Sequence, residues 1–135
     1  MKQENKRYLG IDWGSKRIGL AIAETDSNTA VPYGVVGGLD DVLEVAEEED
    51  VDEVVLGRPV KISGDEDNLT PAYNEFFEEL KDKLDIPIRI VDERLSSKAA
   101  DQLPGKKNEK ADRDAIAAML ILQGYLDAAS HSGKM

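Results

Sequence analysis

Residues 8–24 read YLGIDWGSKRIGLAIAE. Two apolar runs flank a polar turn, and that pattern decides the reading of the whole chain. Tyr8 to Asp12 has the length of a short strand. Arg17 to Ala23 alternates well enough to be its hairpin partner, and Trp13-Gly14-Ser15-Lys16 supplies the turn, with Gly14 free to take a positive φ. One feature is odd. Asp12 sets a lone carboxylate at the mouth of what should be a buried strand.

Outward from this hairpin, Ala30 to Gly37 (AVPYGVVG) reads as a third strand, and Pro32 predicts an edge position. Asp40 and Asp41 open a helix whose apolar stripe is Val42, Leu43, Val45 and Ala46. The run from Val51 to Val60 has the composition of a buried strand, ended by Gly57 and Pro59. Thr70 followed by Pro71 is a helix start, and that helix extends to about Leu84. Ile86 to Val91 (IPIRIV) is a fifth strand, ending at Asp92-Glu93-Arg94. Residues 96–103 (SSKAADQL) read as a short helix and residues 104–110 (PGKKNEK) as a basic loop. A final helix spans Asp112 to about Ala129. The order β-β-β-α-β-α-β-α(α) predicts a mixed sheet with helices on both faces. At 135 residues one domain covering 1–135 is expected, with residues 1–6 and 130–135 as frayed tails.

Composition narrows the chemistry. There is no cysteine, which excludes disulfides, thiolate zinc sites and a cysteine nucleophile. The single histidine, His131, stands in the expected tail, so a Ser-His-Asp triad or a histidine-built metal site is not expected. No apolar run nears the roughly 20 residues of a membrane helix, and no leader pattern opens the chain. A soluble, cytoplasmic protein with no membrane partner is the expectation. The formal net charge is -11, which by itself argues against nucleic acid. The charge is unevenly spread, however. Asp40 to Glu53 holds nine acids and no base and reads as a solvated helix face. The basic residues lie elsewhere, at Lys16, Arg17, Arg58, Lys61, Arg94, Lys98 and around Lys106 to Arg113. Were those regions to share a face, its field would be positive despite the total.

Three acids stand out by position. Asp12 ends the first strand, Glu93 or its neighbour Asp92 ends the fifth, and Asp114 lies in the first turns of the last helix, with Asp112 competing for that role. Ligands of open α/β sheets gather beyond the carboxyl ends of parallel strands. Converging carboxylates repel unless a cation compensates, and Mg²⁺ or Mn²⁺ suits oxygen donors. Two such ions about 4 Å apart activate a water and stabilise the leaving oxygen of a phosphodiester. Each acid also has a plainer explanation. Asp12 can satisfy amides of its own turn, Glu93 can pair with Arg94, and Asp114 suits a helix N-terminus.

The segments GIDWGSKRIGLAIAE, VVLGRPVKISGDE, VDERLSSKAA and DAIAAMLILQGYLD, taken in order, resemble the motifs of the YqgF/RuvX family, and together they extend over residues 8–127. The resemblance implies an RNase H-like α/β fold with a five-stranded mixed sheet in the order 3-2-1-4-5. It also implies Asp12, Glu93 and Asp114 as catalytic, metal-binding carboxylates holding Mg²⁺ or Mn²⁺. The activity it implies is an endonuclease that processes the 5′ end of pre-16S rRNA, or alternatively a Holliday junction resolvase in DNA recombination and repair. Nucleic acid, as pre-rRNA or branched DNA, is then the partner, and symmetric cutting of two strands calls for a homodimer. Lys16, Arg17, Arg58 and Arg94 are candidate phosphate contacts. A non-catalytic nucleic-acid or ribosome-assembly binding protein is a further alternative. The segment DWGS (residues 12–15) also resembles the phosphate loop of actin-like ATPases, but those close two such domains over a nucleotide.

Overall fold

The computed structural model describes residues 5–14, 16–58, 71–92 and 110–133. The strands are β1 (Arg7–Asp12), β2 (Ile18–Glu24), β3 (Val31–Val36), β4 (Glu53–Arg58) and β5 (Ile88–Asp92). The helices are α1 (Leu39–Glu48), α2 (Pro71–Lys83) and α3 (Lys110–Gly133). The strands form one sheet in the order β3-β2-β1-β4-β5. The hairpin neighbours β1–β2 and β2–β3 are antiparallel, whereas β1–β4 and β4–β5 are parallel. This is the mixed topology expected from the sequence.

Strand alternation divides the core in two. Leu9 and Ile11 point to one face, where they meet α1 and α2 through Val42, Val45, Tyr73, Phe76 and Leu80. Gly10 points to the other face, against Ala118 and Leu122 of α3. There Ala21, Ala23 and Val55 pack on Ala118, Ile121, Leu122 and Leu126. At about 1.5–3 kcal/mol for each large aliphatic side chain buried, Ile121, Leu122 and Leu126 are enough to hold α3 across the sheet.

β3 is an edge strand, as Pro32 predicts, and the proline sits at an irregularity. Leu20 pairs with Gly34 and Ala21 with Pro32, which leaves Tyr33 as the extra residue of a bulge. α1 ends in a Schellman motif. Asp50 takes φ 53°, Val51 N–H donates to the Ala46 carbonyl at 3.0 Å, and Asp50 N–H donates to that of Glu47 at 3.2 Å.

Two expectations are corrected. The acid run is not wholly a solvated helix face. Glu53 opens β4 and is only 4% exposed. There its carboxylate accepts from Arg89 Nε at 2.7 Å and Tyr125 OH at 3.1 Å, with Lys6 Nζ 3.9 Å away. α3 continues to Gly133, because its last turns extend a helix already anchored by Leu126. Lys6 is tied in by the Thr25 N–H, which donates to its carbonyl at 2.9 Å. Finally, Gly14 does not adopt a positive φ. A Cβ there would lie 2.6 Å from the Arg17 carbonyl oxygen, so the glycine serves close approach across the turn. The short helix and basic loop expected over 96–110, apart from the helical Lys110, and the cap expected at Thr70 lie outside the described residues.

Candidate active site

Asp12 is the last residue of β1, and its antiparallel partner is Gly19. Residues directly opposite in such a pair direct their side chains to the same face. The face is the one α3 covers, because Gly10, two residues earlier, meets Ala118 and Leu122 there. A Cβ on Gly19 would stand 2.0 Å from the Asp114 carbonyl oxygen and 3.0 Å from the Ala115 nitrogen. The α3 backbone at Asp114 therefore rests directly on Gly19, where no side chain fits. Facing Cβ positions in an antiparallel pair are about 5 Å apart. Gly19 thus seats the Asp114 backbone about one side chain's width from Asp12.

The other side of Asp12 is fixed by Trp13. Its ring meets Tyr73 edge-on at 5.7 Å and Phe76 at 6.3 Å between centroids. This packs the end of β1 onto α2, on the face opposite α3. Asp12 is consequently clamped between two packed layers at the carboxyl end of a central strand, the position where open α/β sheets present ligand sites.

The same rim gathers cationic residues. Lys16 is exposed in the β1–β2 turn. Arg17 lies beside it, and its Nε donates to Asp114 Oδ2 at 2.7 Å. Arg58 ends β4 opposite Asp92 of β5. Acids concentrate at the other end of the sheet, where Tyr8 pairs with Glu53 and α1 terminates. Arg7 there is bonded to Glu24 and to Glu49. Its guanidinium holds the Glu24 carboxyl below the usual carboxylate range, mainly by hydrogen bonding, with Asn5 and charge attraction adding to the effect. The Tyr125 hydroxyl is pushed up by burial first, and then by the charge and hydrogen bond of Glu53. Among the described residues, the acids at the end of α1 and the start of β4 lie at the end of the sheet remote from Asp12.

Of the residues singled out from sequence, Asp12, Asp114, Arg17, Lys16 and Arg58 all come to this rim. Glu93 and Arg94 lie outside the described residues. Among the described residues no group of three or more acidic or histidine side chains is close enough to hold a metal ion. Asp12 and Asp114 nevertheless suit a hard cation: both are oxygen donors, they spring from adjacent backbone, and a guanidinium already sits on one of them as a cation. Sequence reasoning missed Gly10 and Gly19. The signal was available, since a glycine inside a strand marks a place where another backbone approaches closely.

Comparison with known proteins places the architecture in a class. The chain superposes on Thermus thermophilus RuvC, solved in complex with a Holliday junction substrate, with a TM-score of 0.61 at 14% identity, covering 93% of this chain and 96% of that one. The fowlpox virus resolvase, also solved with a Holliday junction, gives 0.54 at 12% identity over 91% and 98%. The fold is thus that of the RuvC-like, RNase H-type nucleases. Residues 6–128 match the family model "RuvX: Holliday junction resolvase", and the chain belongs to the RuvX family. Relatives named "Putative pre-16S rRNA nuclease" include those of Endomicrobium trichonymphae, 35% identical over 92% of this chain and 97% of its own. That of Chlorobaculum tepidum is 39% identical over 95% and 96%. The relatives are named as nucleases, enzymes that hydrolyse phosphodiester bonds. No helix among the described residues is long and apolar enough to cross a membrane.

Proposed function

We propose that this chain is a divalent-metal-dependent endonuclease, a single RNase H-like domain acting on structured RNA in the cytoplasm, with the 5′ end of pre-16S rRNA as its substrate. One observation carries the reading. Gly19 lets α3 settle until the Asp114 backbone lies beside Asp12, which brings two oxygen donors to one rim, the donor type a hard cation takes. Asp12 and Asp114 would hold Mg²⁺ or Mn²⁺. Glu93, two residues beyond Val91, which packs on the α3 side of the sheet, is the third carboxylate of the proposal. The bound cation supplies an activated water and charge neutralisation at the phosphodiester. The chain's own residues orient and attract. Trp13 keeps Asp12 fixed, and Lys16, Arg17, Arg58 and Arg94 steer the phosphate backbone to the rim. The acidic far end repels the same backbone and so restricts docking to the rim.

A second reading, cleavage of four-way DNA junctions by a homodimer, is supported by the likeness to two resolvases solved with such junctions. A single assay addresses both. Purified protein with Mn²⁺ or Mg²⁺ is given a 16S precursor RNA and a four-way DNA junction in parallel, with Asp12→Asn as control. Cleavage of the RNA that vanishes in the variant is expected. Cleavage of the junction alone would transfer the proposal to the second reading, and cleavage undiminished in Asp12→Asn would sink both.

A further inference from the structure

The Arg17–Asp114 pair raises a question that phosphate steering does not answer. The proposed nuclease needs Asp114 for a cation and Arg17 for the substrate, yet the two hold each other. Arg17 Nε lies 2.7 Å from Asp114 Oδ2, with side-chain exposures of 43% and 29%. The contact is a close, well-formed ion pair whose partners are only partly covered. Pairs that stay within reach of solvent contribute modestly, because water screens them and ordering two side chains costs entropy. A divalent cation seated between Asp12 and Asp114 carries twice the charge of the guanidinium and takes the same oxygens.

The two ends of the pair also differ in freedom. Asp114 is fixed by the seating of α3 on Gly19. The Arg17 carbonyl packs against Gly14, where a Cβ would not fit, but the Arg17 side chain is long and rotatable. If one partner leaves, it is the guanidinium, and it leaves towards the rim where Lys16 is exposed.

We propose that Arg17 is an exchangeable counter-ion for the metal site. It neutralises Asp114 while the site lacks metal, is displaced when the cation binds, and is thereby released to contact a phosphate of the substrate. This rests on the nuclease reading and adds regulation to it. Metal loading and nucleic-acid binding become positively coupled through one side chain, and the coupling is reciprocal.

The test is a double-mutant cycle on the full chain, read by binding rather than cleavage. The probe is a fluorescein-labelled RNA hairpin with single-stranded flanks, titrated in EDTA and again in Ca²⁺. Arg17→Gln should alter wild-type affinity less than twofold in EDTA, where Arg17 is engaged by Asp114. It should weaken binding about fivefold in Ca²⁺, and about fivefold in EDTA when introduced into Asp114→Asn, where Arg17 is released without metal. Arg17→Lys should restore most of the loss. Calorimetric Mn²⁺ titration of Arg17→Gln should show binding two- to fivefold tighter than wild type, the advantage of removing a weak competitor. An equal penalty from Arg17→Gln in all three conditions overturns the exchange while leaving the nuclease reading intact. Mn²⁺ titration of wild type without heat overturns both. Arg17 is largely exposed, so unchanged thermal melts of the single variants establish that folding is not what is being read.

Discussion

At the residue scale the site depends on an atom that is missing. Gly19 carries no Cβ, and only for that reason can the Asp114 carbonyl occupy the space above it. Gly19→Ala must push α3 off the sheet, since neither partner in the clash is a flexible side-chain end. Overpacking of this kind costs about 3 kcal/mol, measurable as a lower urea midpoint. Cleavage is expected to fall further than stability accounts for, because the displaced helix carries Asp114 away from Asp12. Gly34 is the control. Nothing lies within 4 Å of its would-be Cβ, and Gly34→Ala should leave cleavage unchanged. Asp12 and Asp114 were legible from their places at a strand end and a helix start. Gly19 was not read as functional, because in sequence it is only a small residue in a strand that alternates well.

At the element scale, three joints place β1. Trp13 fastens its carboxyl end to α2 by ring packing, and Trp13→Ala should cost about 3 kcal/mol, the lower end for a large aromatic because the ring is only partly buried. Glu53 fastens the start of β4, the parallel neighbour of β1, taking hydrogen bonds from β5 and α3 together. Glu53→Ala should cost about 2 kcal/mol, the usual worth of hydrogen bonds to a charged group, and a thermal melt would register it. Arg7 joins β1 to β2 and to the end of α1. Its effect on Glu24 sets a pH dependence. The Glu24 carboxyl lies below its ordinary value of 4.5 in the folded chain. The folded state therefore releases that proton more readily than the unfolded chain does. The stabilisation is fully present above pH 4.5 and disappears as the pH falls through the lower folded value. Melting curves of wild type and Arg7→Gln should converge as the pH drops through that window, and a constant separation would disprove the assignment. The element order was legible because strand alternation and helical periodicity are local signals. The burial of Glu53 was not, since an acid ending a run of acids gives no local hint that Arg89 and Tyr125, 36 and 72 residues away, converge on it.

At the scale of the whole molecule, a net charge of -11 does not prevent Lys16, Arg17 and Arg58 from standing at the Asp12 rim, which they share with Asp12, Asp92 and Asp114. Two consequences can be measured. The phosphate contacts proposed number about four, so the logarithm of RNA affinity should fall with the logarithm of salt at a slope of about -3, shallow for a nucleic-acid-binding protein. Stability should move the other way, rising with added salt as repulsion among the acids is screened. A slope steeper than about -6 would mean that more cationic surface meets the substrate than the proposed rim provides.

The amino-acid sequence by itself determined the order of the strands and helices, that one edge strand carries a proline, and that cysteine chemistry is excluded. These follow from periodicity, from proline's missing N–H and from the absence of cysteine. Only the tertiary structure decided that α3 sits on Gly19 beside Asp12, that Arg17 is held by Asp114, and that Glu53 is buried at the end remote from the rim. Those facts depend on contacts between residues such as Arg17 and Asp114, 97 positions apart. No local pattern encodes such a contact, because it exists only once the strands and helices have packed against one another.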